Sequence, residues 1–442
     1  MGNYFPISYR RIAYLSRGES RLERTILHSD MNNCYASIEL LHHPELRGKP
    51  LAVGGDPERR HGIVLAKDEL AKKAGVKTGM ALWQARQLCP EITFVPPRMD
   101  LYLRFSHMAH EIYGEYTNQQ EPFGVDESWL DVTGSCSHHG DGLAIAREIN
   151  RRIKRELGVT VSIGVSWNKI FAKLGSDYKK PDAVTVIDRE NYRNLVWPLP
   201  VEDLLYVGRA TQRKLNQHGI RTIGQLAQAD PEYLKTRFGK MGYVLHRFAN
   251  GEDQTPVSFS NEAAPIKSIG NSTTTPRDLV NGEDVSVIVY LLAESVSARL
   301  REHHFVGQVV ELYVRDTDLS SMTRQKKLAA PTNITREIAG AGMELFRCHY
   351  HWNRPIRSVG VRVTQLLLDH VPVQMNLFCD QRGRDREHRL DVTVDDIRRR
   401  FGFFSIQRGV AYRDRTLSSL NAREDHVVHP RGYMERGNLT GA

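Results

Sequence analysis

The chain has 442 residues, a net charge of +9 from 61 Lys and Arg against 52 Asp and Glu, and 40% hydrophobic residues. That balance argues for two to four folded domains and against a disordered chain, and the basic excess points to a polyanionic partner. The five cysteines form no C-x-x-C pair, which argues against a disulfide framework or zinc site and for a reducing, cytoplasmic setting, and no apolar run approaches the roughly 20 residues that would cross a membrane.

Residues 1–24 carry Arg10, Arg11, Arg17, Arg21 and Arg24 but lack the apolar core of a signal peptide, and read as an extension. Residues 25–31 read as a strand and 34–41 as a short helix. Leu51, Ala52 and Val53 then lead into a turn at Gly54 and Gly55. Residues 64–75 and 80–88 have helical spacing, and Pro96 and Pro97 close this insert. A helix is expected over 101–116, a strand over 129–132 and a helix over 141–157. The alternation of 159–165 predicts a half-buried strand, followed by a helix at 169–174 and a strand at 183–187. Together these give a mixed α/β unit interrupted by a small insert. From Trp197 to about Asn250 the pattern is helical and punctuated by Gly208, Gly219, Gly224, Gly239 and Gly242; residues 251–265 read as a polar linker.

Residues 266–371 predict strand 266–275, helix 283–303, strands 306–315 and 323–329, helix 334–350 and strand 356–368. This βαββαβ order implies a sheet with its helices on one face. Residues 372–442 are charge-rich and read as a solvated, partly ordered tail with a short helix near 390–397.

Two short acidic segments carry the chemistry. One runs from Ile26 through Asp30 to Met31, and the other from Gly124 through Asp126 and Glu127 to Asp131. In each, an apolar stretch meets carboxylates. Strand ends that gathered Asp30, Asp126 and Glu127 would make an oxygen-donor site for hard divalent cations, because clustered carboxylates repel one another unless a cation holds them. Two such ions about 4 Å apart clamp the attacking and leaving oxygens of a displacement at phosphorus. Gly208 and Gly219 sit in segments that look like helix-hairpin-helix turns, where backbone N–H groups approach a phosphate without reading bases.

The segments 28–39 (HSDMNNCYASIE), 124–133 (GVDESWLDVT) and 162–173 (SIGVSWNKIFAK) closely resemble the Y-family translesion DNA polymerases, in their bacterial DNA polymerase IV form, and the resemblance runs from about residue 25 to about 370. It implies a right-hand polymerase with a ferredoxin-like palm (25–31 and 100–190), small fingers (32–99), a helical thumb with helix-hairpin-helix turns (191–250) and a βαββαβ little finger (266–371). The implied activity is error-prone addition of deoxynucleotides to a primer 3′-hydroxyl by two-metal phosphoryl transfer, without proofreading, in DNA damage tolerance. Asp30, Asp126 and Glu127 become the metal-binding carboxylates, with the Met31 carbonyl a further ligand, two Mg²⁺ ions the cofactor and Mn²⁺ a substitute. Tyr35 becomes the steric gate that excludes a 2′-hydroxyl, and Lys180, which precedes a proline, a triphosphate contact.

The fingers depart from the family pattern. Where the family often has Tyr and Arg gripping the triphosphate, this chain has Glu69 and Lys72; Lys72 keeps the charge but loses the bidentate fork, and Glu69 would repel phosphate. Lys267, Ser268 and Thr273 resemble the first little-finger strand, which tracks phosphates of one DNA strand. Gln374, Leu377 and Phe378 form a Q-x-x-L-F pattern that resembles the peptide by which bacterial polymerases dock on the sliding clamp. The implied partners are primer-template DNA, deoxynucleoside triphosphates and that clamp, with no membrane and a monomeric enzyme. A second reading is a catalytically silent, clamp-docked DNA-binding adaptor. The fingers positions leave it open and the three carboxylates argue against it. A metal-dependent nuclease would need a water-activating group beside the metals, and the sequence marks none.

Overall fold

The computed structural model describes residues 23–55, 62–262, 265–370 and 380–422. In chain order the strands are β1 (Ile26–Met31), β2 (Leu51–Gly54), β3 (Val64–Lys67), β4 (Thr93–Val95), β5 (Gln120–Pro122), β6 (Glu127–Asp131), β7 (Val161–Ser166), β8 (Val184–Val186), β9 (Ser268–Leu279), β10 (Phe305–Asp316), β11 (Ser321–Thr332) and β12 (Ile356–Leu368). Two compact units emerge, one within residues 1–32 and 106–261, the other within 33–105 and 262–442.

The first unit is built on a five-stranded sheet in the order β5-β6-β1-β7-β8. β1 is central and buried along its whole length, antiparallel to both β6 and β7, while β8 runs parallel to β7. Helices Gly142–Leu157 and Lys169–Tyr178 pack on β7, and their apolar stripes supply Ile145, Ile149 and Ile153 from one and Ile170, Phe171 and Leu174 from the other. Asn168 starts the second of these by accepting from Phe171 N at 2.9 Å, as an N-cap should. Four helices, from Arg209–Gln217 to Lys240–Ala249, enclose Leu215, Ile223, Leu226, Leu234 and Leu245 in a core continuous with Trp167 and Phe171.

The second unit contains two sheets. The small one, β3-β2-β4, packs with short helices around Ala52, Val64, Ala71, Val76 and Leu82. The larger, β11-β10-β12-β9, is antiparallel, with helices Gly282–Glu302 and Thr335–His349 burying Val285, Ile288, Leu292, Ile338 and Phe346 against Val310, Leu312, Val359 and Val361. This is the expected βαββαβ order. Edge strand β11 is buried at Thr332 alone and carries Arg324, Lys326 and Lys327, charges that discourage pairing with a foreign strand.

The structure adds the short strands β4 and β5 and departs further from the sequence reading at two places. Residues 64–75 do not form one helix: Val64–Lys67 pairs with β2, and Asp68 ends the strand by accepting from Ala71 N at 2.8 Å to cap the helix Glu69–Lys73. A four-residue strand that runs into a five-residue helix imitates helical spacing. The region after residue 380 holds a 21-residue helix, Gln381–Phe401, in place of a short helix at 390–397. That helix packs on Gly282–Glu302 through a buried ionic network. Arg301 meets Asp391 at 3.3 Å and Asp395 at 2.7 Å, Arg398 meets Glu294 at 3.2 Å, and Arg408 bridges Glu294 at 2.9 Å and Asp391. Leu417 completes the core of this unit.

Candidate active site

Antiparallel pairing sets the centre of the first unit. The end of β1 lies beside the start of β6, so Asp30 is the register partner of Glu127, and Met31 N donates to Asp126 O at 3.0 Å. On its other edge β1 pairs with β7, placing Asp30 opposite Ser162. Two segments distant in sequence thus deliver Asp30, Asp126 and Glu127 to one place, as their strand-end positions imply.

The helix Lys169–Tyr178 brings lysine to this cluster. Lys173 Nζ lies 3.0 Å from Asp30 Oδ2, 2.9 Å from Glu127 Oε2 and 3.3 Å from Asp177 Oδ2. Lys180 Nζ lies 2.7 Å from Asp30 Oδ2 and 2.6 Å from Asp177 Oδ1. The helix can come this near because β7 presents glycine to it. A Cβ on Gly164 would sit 1.9 Å from Ala172 O and 2.5 Å from Ser176 N, both backbone atoms that cannot yield. Gly164→Ala is therefore expected to push the helix off the sheet, costing about 3 kcal/mol or more and withdrawing Lys173 from the carboxylates. Thermal unfolding checks the first effect and primer extension the second.

His28 is buried beneath the cluster, its Nδ1 2.9 Å from Ser176 Oγ and its Nε2 3.4 Å from Glu127 Oε2. Burial pushes its pKa down despite the neighbouring carboxylates, so the ring is a neutral prop at physiological pH. Burial would raise the Glu127 carboxyl, but His28 and Lys173 outweigh it and hold it well below the usual range. Asp30 is pushed up, by burial first, although both lysines oppose the shift. Asp126 is pushed up to about 6 by burial and then by the charges of Asp30 and Glu127. Among the described residues no ion pair reaches Asp126. The lysines do not close the arrangement electrostatically, since two ammoniums face four carboxylates. The carboxylates do not form a ready three-ligand cage, because Lys173 spans Asp30 and Glu127. Their all-oxygen character and uncompensated charge nonetheless fit a hard divalent cation.

The other expected site residues are placed individually. Tyr35 lies in the first turn of helix Cys34–His42, half-buried and stacked on Tyr102. Lys72 is exposed and 3.4 Å from Glu69, whose carboxylate also accepts from Asn33 Nδ2 at 2.9 Å. Those bonds, that from Asn33 foremost, hold the Glu69 carboxyl below its usual range, so its charge is already engaged. Gly208 is exposed at the N-cap of helix Arg209–Gln217, and Gly219 is exposed with φ +78° just after it. Lys267 is exposed and Ser268 half-buried at the start of β9.

Thr273 requires correction. Strand alternation sends Asn271, Thr273 and Thr275 toward helix Gly282–Glu302, where Asn271 bonds Ser295 at 3.1 Å; Thr273 is buried, with its hydroxyl on Thr274 O at 3.3 Å, and offers no hydroxyl to a phosphate. Ser272 and Thr274 take the opposite face. Gln374, Leu377 and Phe378 lie outside the described residues.

Sequence reasoning missed the roles of Lys173 and His28. Both stand in the quoted motif segments, and the i, i+4 spacing of Lys169, Lys173 and Asp177 on one helical face was the available signal.

Comparison with known proteins agrees with this architecture. Residues 29–177 match the impB/mucB/samB family, 266–377 its C-terminal domain, and 202–253 the thumb domain described for DNA polymerase-iota. A solved Y-family DNA polymerase chimera superposes with a TM-score of 0.68 at 24% identity, over 78% of this chain and 99% of that one. The fold is thus that of a right-hand Y-family polymerase, with palm, small fingers, helical thumb and βαββαβ little finger. DNA polymerase IV of Acetivibrio thermocellus is 51% identical over 399 residues, 90% of this chain and all of that protein, and DNA polymerase IV of Pelotomaculum thermopropionicum is 39% identical over 388 residues, 87% of this chain and 95% of that one. The chain belongs to the impB/mucB/samB family of Y-family polymerases, of the DNA polymerase IV type.

Proposed function

We propose that this chain is a DNA-directed DNA polymerase of the error-prone translesion type, adding deoxynucleoside monophosphates to a primer 3′-hydroxyl and releasing pyrophosphate. The observation that carries the reading is the gathering of Asp30, Asp126 and Glu127 on adjoining strand ends within a Y-family scaffold. The proposed palm spans 25–31 and 100–190 and the proposed fingers 32–99.

Asp30, Asp126 and Glu127, with the Met31 carbonyl, would hold divalent cations. When bound, two Mg²⁺ ions supply the Lewis acidity that makes the primer hydroxyl nucleophilic and neutralises the leaving pyrophosphate, with Mn²⁺ as a substitute. The chain's own groups do the positioning. Lys180 and Lys173 would present their ammonium groups to the triphosphate as compact point charges. Tyr35 lies beneath the sugar and Lys72 supports the phosphates. Gly208 and Gly219 would let the thumb backbone approach duplex phosphates, and Lys267 and Ser268 at the start of β9 would track phosphates of one DNA strand. The enzyme acts as a cytoplasmic monomer on primer-template DNA.

The deciding experiment is primer extension with Mg²⁺ and four deoxynucleotides, parent beside Asp126→Ala with Glu127→Ala. Extension by the parent alone, abolished by chelation and restored by Mg²⁺ or Mn²⁺, supports the reading. Tight primer-template binding without extension by either protein would replace the enzyme with a DNA-binding adaptor.

Gln374, Leu377 and Phe378 would dock on the bacterial sliding clamp, Leu and Phe as apolar anchors. Leu377→Ala with Phe378→Ala is expected to remove stimulation by the clamp and leave distributive synthesis intact. Clamp-dependent synthesis that survives the pair rules this role out.

A further inference from the structure

Tyr35 has a ring directly behind it. The Tyr102 ring lies parallel to it, with centroids 4.3 Å apart and planes 10° from parallel. Tyr102 is fully buried, and its hydroxyl donates to Glu39 Oε1 at 2.6 Å. Glu39 has no exposed surface and is gripped by Arg98, Nε to Oε1 at 3.1 Å and Nη2 to Oε2 at 2.5 Å. Burial alone would raise the Glu39 carboxyl, but the bonds from Arg98 and Tyr102 outweigh it, so the acceptor is the ionised form. Glu39 lies one turn beyond Tyr35 on the same helix. The contacts therefore close on themselves: Tyr35 against Tyr102, Tyr102 to Glu39, and Glu39 back to the helix that carries Tyr35. The start of that helix is pinned separately, by Asn33 bonded to Glu69.

A bulky ring excludes a 2′-hydroxyl only to the extent that displacing the ring is costly. A ring free to swing would relieve the overlap and lose most of the discrimination. A parallel neighbour fixed by a charge-assisted bond removes that escape on one face.

We infer that Tyr102, anchored by Glu39 and Arg98, is a positioning residue that backs Tyr35 and thereby sets how strongly the enzyme rejects ribonucleotides. The inference rests on Tyr35 being the sugar gate.

The test is single-nucleotide insertion opposite one template base, measuring kcat and KM for a deoxynucleoside triphosphate and its ribonucleotide counterpart. The variants are Tyr35→Ala, Tyr102→Leu and Tyr102→Phe. Tyr102→Leu keeps an apolar side chain in the buried space but removes the flat ring. It is expected to reduce deoxy-over-ribo discrimination at least about tenfold, carried by a lower KM for the ribonucleotide. Tyr102→Phe keeps the stacked ring but loses its anchor to Glu39, and is expected to fall between the parent and Tyr102→Leu. If Tyr35→Ala loses discrimination and Tyr102→Leu retains it, the backing role is overturned while the gate stands. If Tyr35→Ala itself retains discrimination, the gate reading fails and the inference with it.

Discussion

Asp126→Asn is expected to abolish primer extension while leaving the metal-free protein at least as stable as its parent. The reasons lie in one environment. Asp126 is buried beside Asp30 and Glu127, and its carboxyl is pushed up to about 6. A carboxyl whose folded pKa exceeds its unfolded value favours the fold most when protonated. That contribution is complete below the unfolded value near 4 and is lost as pH rises through about 6. At pH 8 the ionised side chain therefore opposes folding, and a neutral amide of the same shape removes a penalty of the order of 1–3 kcal/mol. Asparagine cannot replace the charge that holds divalent cations, so the rate should fall by at least about a thousandfold, roughly 4 kcal/mol of transition-state stabilisation. Thermal melts in chelator at pH 5 and pH 8 check the first half. The parent should gain on the variant as pH falls. A variant less stable than the parent at pH 8 would show that Asp126 serves the fold and not the metals.

The second large effect concerns the segment that follows residue 380, through the helix Gln381–Phe401 and the short helix Arg415–Ser418. Leu417→Ala is expected to destabilise the unit that contains the four-stranded sheet by about 2–4 kcal/mol, because the side chain is fully buried in that unit's core. A change confined to a loosely attached tail would cost almost nothing. Arg398→Ala should act in the same direction, since among the described residues it leaves buried Glu294 with Arg408 as its remaining ion-pair partner. Urea unfolding followed by hydrogen exchange on helix Gly282–Glu302 reads both. Exchange rates unchanged from the parent would mean that residues 380–422 are not part of this core.

These two cases also separate what was legible in the sequence from what was not. The βαββαβ order was readable because its elements run from 12 to 21 residues, long enough for strand and helix periods to differ plainly. Asp30, Asp126 and Glu127 were readable because each adjoins an apolar strand. The C-terminal helix was not readable as structure, because its partners are remote: Asp391 meets Arg301 across 90 residues. Local charge patterning cannot distinguish a carboxylate in water from one in a buried network. The backing of Tyr35 by Tyr102 was hidden for the same reason. Thr273 was misplaced because a phosphate-tracking strand presents only alternate residues to one side, and the motif does not say which side the helices cover.

The docked C-terminal helix also changes what opens together. Glu294, Arg301, Asp391, Arg398 and Arg408 knot Gln381–Phe401 to Gly282–Glu302, and neither helix can part from the other without leaving buried charges unpaired. The two are therefore expected to surrender their amide protons as one block, the outer helix lending its fate to the inner one.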